Sequence, residues 1–150
     1  MTYLLSLLIG VVAGLRAMTA PAAVSWAAGL GWLDVSESWL SFLASAWTRW
    51  AFTLLAIGEL VNDQLPSTPS RTVPVQFGAR LVMGALSGAV IGGLAGTLLG
   101  IAGAVIGTYG GRAFRARLAA MFESDPPAAL IEDAVAIFGA VMIAMALRWS

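Results

Sequence analysis

The chain has no cysteine, no histidine and no lysine among its 150 residues. Without cysteine there is no disulfide, no thiolate nucleophile and no sulfur-ligated metal. Without histidine there is no imidazole ligand and no side chain that ordinarily titrates near neutral pH. A metal site would rest on carboxylate and carbonyl oxygens alone, which restricts it to hard ions such as Mg²⁺ or Ca²⁺. Charge is scarce as well: charged residues make up 11% of the sequence, against about 25% in an ordinary soluble domain. Such a chain cannot coat a globule with charge, and with 59% hydrophobic residues and a mean hydropathy of +0.88 its apolar runs recur along the whole length. The expected class is an all-α, polytopic membrane helical bundle forming a single integral membrane domain. Eight basic residues, all arginine, balance eight acidic ones. A pI near 6.1 offers no basic surface for nucleic acid. No metal, cofactor or catalytic residue is expected.

The apolar runs divide into about five segments, covering residues 3–33, 39–62, 75–92, 98–121 and 128–147. The N-terminus lacks a basic region and its apolar run continues past Ala20-Pro21-Ala22, so it reads as a retained first helix and not a cleaved signal. A straight helix over residues 3–33 would measure roughly 46 Å, against roughly 30 Å of hydrocarbon. It must tilt, kink or break, and Arg16 to Pro21 is the expected place, because a proline inside a helix lacks the N–H donor and clashes with the preceding turn. The segment either spans or re-enters; re-entry would put the N-terminus on the outer side. Asp34 to Ser38 reads as a short acidic loop in which Ser36 or Ser38 caps the next helix. The stretch from Asp63 to Pro74, with three prolines, is an extended loop. From Val75 to Phe122 the chain is too long for one crossing, so the expectation is a hairpin turning between Gly92 and Thr97.

Small residues mark that hairpin. Gly84, Gly88, Gly92, Gly96 and Gly100 recur every four residues, followed by Gly103, Gly107 and Gly111. Small residues four apart line one helix face and let backbones approach closely in lipid. The plain interpretation is packing inside the hairpin; the sharper one is a homo-oligomer interface, which so thin a bundle would favour.

The charges are the chemical signal. Arg16, Glu59, Asp63, Arg80, Arg112, Glu132 and Asp133 lie inside or at the edge of the apolar segments. An intramembrane charge is costly, so it normally faces protein, finds a partner and serves function. Glu59 and Asp63 share a helix face, and two carboxylates so close need a cation between them, with Arg80 and Arg16 the candidates. Arg16, helix-break amides and Thr19 form a possible anion site. Arg115 and Arg117 read as topology and headgroup arginines. By the positive-inside rule, they and Arg71 and Arg112 assign their end to the cytoplasm. The expected ligand-binding set is Arg16, Thr19, Glu59, Asn62, Asp63, Arg80, Arg112 and Asp133. The alternative is a purely structural ion-pair network. Ser67 to Thr72 also offers hydroxyls and one arginine for a phosphate.

Three stretches carry a family resemblance: Gly14-Leu15-Arg16-Ala17-Met18-Thr19-Ala20-Pro21, the run from Glu59 to Thr72, and Gly78-Ala79-Arg80. With Gly110-Gly111-Arg112 and the Asp125 to Asp133 stretch, the chain resembles a family of small bacterial integral membrane proteins known as a domain of unknown function. The resemblance covers essentially the whole chain and implies a multi-pass location in the bacterial inner membrane. It implies no activity. The functional expectation is therefore transport or conduction of a small solute or ion, an anion included, through the buried charges. The alternatives are a non-catalytic scaffold or lipid-headgroup module and, more remotely, a lipid-modifying enzyme using Asp63 with Glu132 or Asp133 and Mg²⁺. Membrane lipids are the expected partners.

Overall fold

A computed structural model describes residues 1–65, 70 and 72–150. It is all-α, with no strand among the described residues. The helices are α1 (Thr2–Leu15), α2 (Thr19–Gly29), α3 (Ala46–Asp63), α4 (Pro74–Phe122) and α5 (Asp125–Leu147), with a 3₁₀ turn at Trp39–Ala44 before α3. Two of them, α4 and α5, are long and apolar enough to cross a membrane by length and composition. The expected helix over residues 39–62 does not form as one piece. It breaks at Ser45, whose hydroxyl accepts the Thr48 amide at 3.2 Å and so starts α3 afresh. Ser38 caps the 3₁₀ turn before it in the same way. Arg49, Glu59, Asn62 and Asp63 dilute α3, which is not among the helices apolar enough to span.

Helix α4 is not straight. Gly92 and Gly93 leave helical geometry, and Gly93 takes φ +60, a left-handed conformation that glycine adopts without steric cost. Residues 84 and 100 would lie about 24 Å apart on a straight helix, yet a Cβ on Gly100 would strike the Gly84 carbonyl and one on Gly88 would strike that of Gly96. The helix therefore doubles back into two legs, residues 74–91 and 94–122. Helix α1 fills the groove between them. A Cβ on Gly10 would meet Gly100, and one on Gly14 would meet Ala104 and Thr108. Gly103 and Gly107 in turn abut the backbone of α1 at Leu7 and Val11. The glycine faces are thus occupied by this chain's own α1, a helix whose Ser6-Gly10-Gly14 spacing matches theirs.

These contacts set direction. Ser6, near the start of α1, lies beside Gly92 and Gly96 at the tip of α4. Asp34 and Val35, beyond α2, line a cleft with Gly93 and Leu94 at the same tip. Helix α2 therefore returns toward the end where α1 began, and α1 and α2 form a hairpin with Arg16 at its apex. Helix α3 runs back along α2, Trp26 meeting Trp50 edge-on with ring centroids 5.4 Å apart. Helix α5 then runs from the apex end to the tip end. The N-terminus accordingly shares an end with the Asp34 loop and the Gly92–Gly93 turn, so residues 3–33 double back and do not form one bent rod. Helix α5 begins at Asp125, three residues earlier than expected, because Pro126 and Pro127 fit a first turn whose N–H groups need no partner.

Candidate functional site

The apex of the first hairpin is assembled from all five helices. Arg16 ends α1 in an extended conformation, φ −141 and ψ 108, and is completely buried. A helix end leaves orphan carbonyls, and a helix start leaves orphan amides. Here both sets meet side chains of the sign that suits the helix dipole. Arg80, from the first leg of α4, donates through Nη1 to the carbonyls of Gly14 and Leu15 at 2.8 and 2.7 Å. The Thr108 hydroxyl lies 3.4 Å from the same Gly14 carbonyl. Glu59, from α3, accepts the amides of Ala17 and Met18 at 2.9 Å each, one on each carboxylate oxygen. Arg80 and Glu59 also face each other at 3.9 Å. The break between α1 and α2 is therefore held open by one cation and one anion brought from two other helices.

Arg16 itself ties α3 to α5. Its Nε donates to Asp133 Oδ1 at 2.6 Å and its Nη2 to Asp63 Oδ2 at 2.7 Å, and Nη2 also pairs with Asp133. Gln64 Nε2 reaches the second Asp133 oxygen at 3.1 Å. Asp63 continues outward to Arg115, which grips Asp125 through two bonds of 2.9 and 2.5 Å and lies 3.8 Å from Glu132. Glu132 is completely buried and Asp133 nearly so. Arg16, Arg80 and Arg115 stand among Glu59, Asp63, Asp125, Glu132 and Asp133. Arg16 keeps one buried donor, Nη1, without an acceptor.

Five of the eight expected residues converge: Arg16, Glu59, Asp63, Arg80 and Asp133. Thr19 sits one residue beyond the Glu59-bound amides, its hydroxyl buried and without a partner. Arg112 and Asn62 are exposed. The amides expected to meet an external anion are already taken by Glu59. Arg115, Asp125 and Glu132 complete the cluster. Arg115, read from sequence as a headgroup arginine, is buried on one side by its bridges. The available signal was its position four residues after Gly111, in register with the Gly103-Gly107-Gly111 run. The expected phosphate loop at Ser67 to Thr72 falls largely outside the described residues. No group of three or more acidic residues is arranged to hold a metal ion among the described residues. No family model, curated protein or solved structure matches the chain.

Proposed function

We propose that this is a small multi-pass inner-membrane protein that conducts or transports a small ion, with the Arg16 apex as its site. Membrane embedding is supported by an inverted distribution of residue types. Soluble proteins bury large apolar side chains and expose charge. Here Leu94 and Phe138 are 81% and 68% exposed while Arg16 and Glu132 are wholly buried. The apolar windows of α4 and α5 are only 28% and 33% buried within the chain, so neither is the enclosed core helix of a soluble protein. Arg112, Arg115 and Arg117 assign the apex end to the cytoplasm.

The observation that carries the transport reading is the apex of a re-entrant hairpin. Non-helical backbone at membrane depth is tolerated where it is buried in protein or lines a cavity, and transporters build midplane sites at such breaks. The amides at the break are taken by Glu59, which favours a cation or proton over an anion. Flux into proteoliposomes, measured with a pH-sensitive dye and with K⁺ or Na⁺ gradients, tests this. Wild-type flux that Asp133→Asn or Arg16→Ala abolishes in a folded protein is expected; equal flux in all three sinks the reading.

A scaffold or headgroup-binding module is the second reading, favoured by the exposed Arg112 and Arg117 at the same end. Arg112→Gln with Arg117→Gln discriminates: it impairs lipid or partner binding on that reading and leaves flux intact on the first.

A further inference from the structure

Tryptophan gathers at one end of this bundle. All six tryptophans lie at or near the tip end, and none lies at the apex end. Trp39 lines the cleft with Gly93 and Leu94 at the α4 turn. Trp32 follows α2, Trp47 and Trp50 fall at the start of α3, and Trp149 follows the end of α5. Trp26 meets Trp50 edge-on. Trp39, Trp47, Trp50 and Trp149 are 76, 88, 56 and 82% exposed. Arg49 and Arg148, at this same end, each sit over an indole, Trp26 and Trp149, at 5.3 and 5.2 Å from the ring centroid. The apex end carries Arg112, Arg115 and Arg117 instead.

We infer that the tip end is a membrane-interface belt: its exposed indoles seat in the ester and headgroup region of the bilayer and set the depth of the Arg16 apex below it. An indole suits that layer, with an apolar body and one N–H donor, and tryptophan is enriched at membrane–water interfaces. The placement favours lipid over a protein partner. The four exposed rings come from three parts of the chain: the 3₁₀ turn beside the α4 tip, the start of α3 and the residues past α5. Helix α3 scarcely touches α4 or α5, so these rings mark a level and not one face. A protein interface clusters its aromatic anchors at the centre of one patch, whereas a bilayer collects them at one depth.

The helix lengths agree with that seat. Thr2 to Arg16 on α1, Leu94 to Thr108 on α4 and Asp133 to Leu147 on α5 are each roughly 21 Å at the helical rise. Thr108 and Asp133 both meet the apex, so three elements put it at the same distance from the tip. Below a belt at one boundary of a hydrocarbon core roughly 30 Å thick, that depth falls a few ångströms past the midplane. The full length of α5, roughly 33 Å, then reaches the opposite boundary, where Arg115 bridges to Asp125. The α1–α2 hairpin accordingly enters from the belt and turns back within the bilayer. This inference rests on the membrane reading and is independent of ion transport.

The test is the intrinsic fluorescence of purified protein reconstituted in palmitoyl-oleoyl phosphatidylcholine vesicles. The vesicles carry phosphatidylcholine brominated either close to the glycerol ester or close to the bilayer centre, and carbonate extraction of membranes is run in parallel. The shallow bromines should quench the emission more strongly than the deep ones. Trp47→Phe with Trp149→Phe, both at exposed positions, should lose much of that shallow quenching while the circular dichroism stays unchanged. Three results each overturn the belt: stronger quenching by the deep bromines, shallow quenching undiminished in the folded double variant, or emission quenched only by acrylamide in the water, as for rings that await a protein partner. Protein released by carbonate overturns the membrane reading and the belt with it; retained protein with any of those three results overturns the belt alone.

Discussion

Two kinds of contact hold this bundle together by opposite means. Along α1, from Ser6 at the tip to Gly14 beside the apex, α1 and the two legs of α4 meet backbone to backbone, with glycine at most crossing points. At the apex, α3 and α5 are joined to this core by long charged side chains. Close packing depends on the absence of side chains, so it fails when any atom is added. The ionic apex depends on charge balance, so it fails when one partner is removed and tolerates changes of shape better. On the membrane reading proposed above, a helix pair in lipid gains little from apolar contact, which leaves these two routes, packing and polar linkage.

The contrast is broken most severely at the glycine crossings. Gly88→Leu drives a side chain into the Gly96 carbonyl, and overpacking at backbone contact exceeds the usual range of about 1–3 kcal/mol. The expected outcome is a protein that does not accumulate in membranes, read by immunoblot; normal levels with wild-type thermal stability would refute the hairpin packing. Next is Arg16→Ala, which leaves Asp63 and Asp133 facing each other in a buried site and should cost about 3–5 kcal/mol. Adding Asp133→Leu should restore part of that loss in thermal unfolding in detergent; no recovery would show that Arg16 is not paired as described. Glu59→Gln keeps one acceptor for the Ala17 or Met18 amide and loses the charge, so about 1–2 kcal/mol is expected, with Glu59→Ala worse. Equal stability of the two variants would deny the capping role.

The smallest effects lie outside both regions. Gly110 has open space around its would-be Cβ, so Gly110→Ala should stabilise by up to about 1 kcal/mol through helix propensity. A marked loss there would mean that the face is occupied by another copy or partner. In the Asp34 loop, the Ser36 hydroxyl and amide hold the carboxylate below its ordinary value of 3.8. The folded pKa is depressed, so this contribution is present above the unfolded value and fades as pH falls through the folded one. Asp34→Asn should therefore lower stability slightly and by the same amount across pH 5 to 8, with the difference from wild type closing as pH falls through the folded value; a difference that widens at low pH would contradict the assignment.

Much of this was legible in the residues. The helix break near Arg16 followed from a run too long for the bilayer with a proline inside it, and the turn at Gly92–Gly93 from clustered glycine. The pairing of Glu59 and Asp63 with cations followed from two carboxylates on one helix face. Other features were not readable. Residues 3–33 read equally well as one bent crossing or a re-entrant hairpin, because periodicity records which residues face inward but not which way a helix points after a break. Arg115 looked like an interfacial arginine because its partner Asp63 is 52 residues away, and only folding brings them together. Arg112, three residues earlier and chemically identical, is exposed.

The sequence by itself determined the helical class, the small-residue faces and the identity of most buried charges, since these depend on composition and on spacing along one helix. The tertiary structure decided the hairpin path of α1 and α2, the choice of α1 as the helix that fills the glycine groove, and the pairings among the described charges. Those depend on contacts between residues far apart in the chain, which local spacing does not encode.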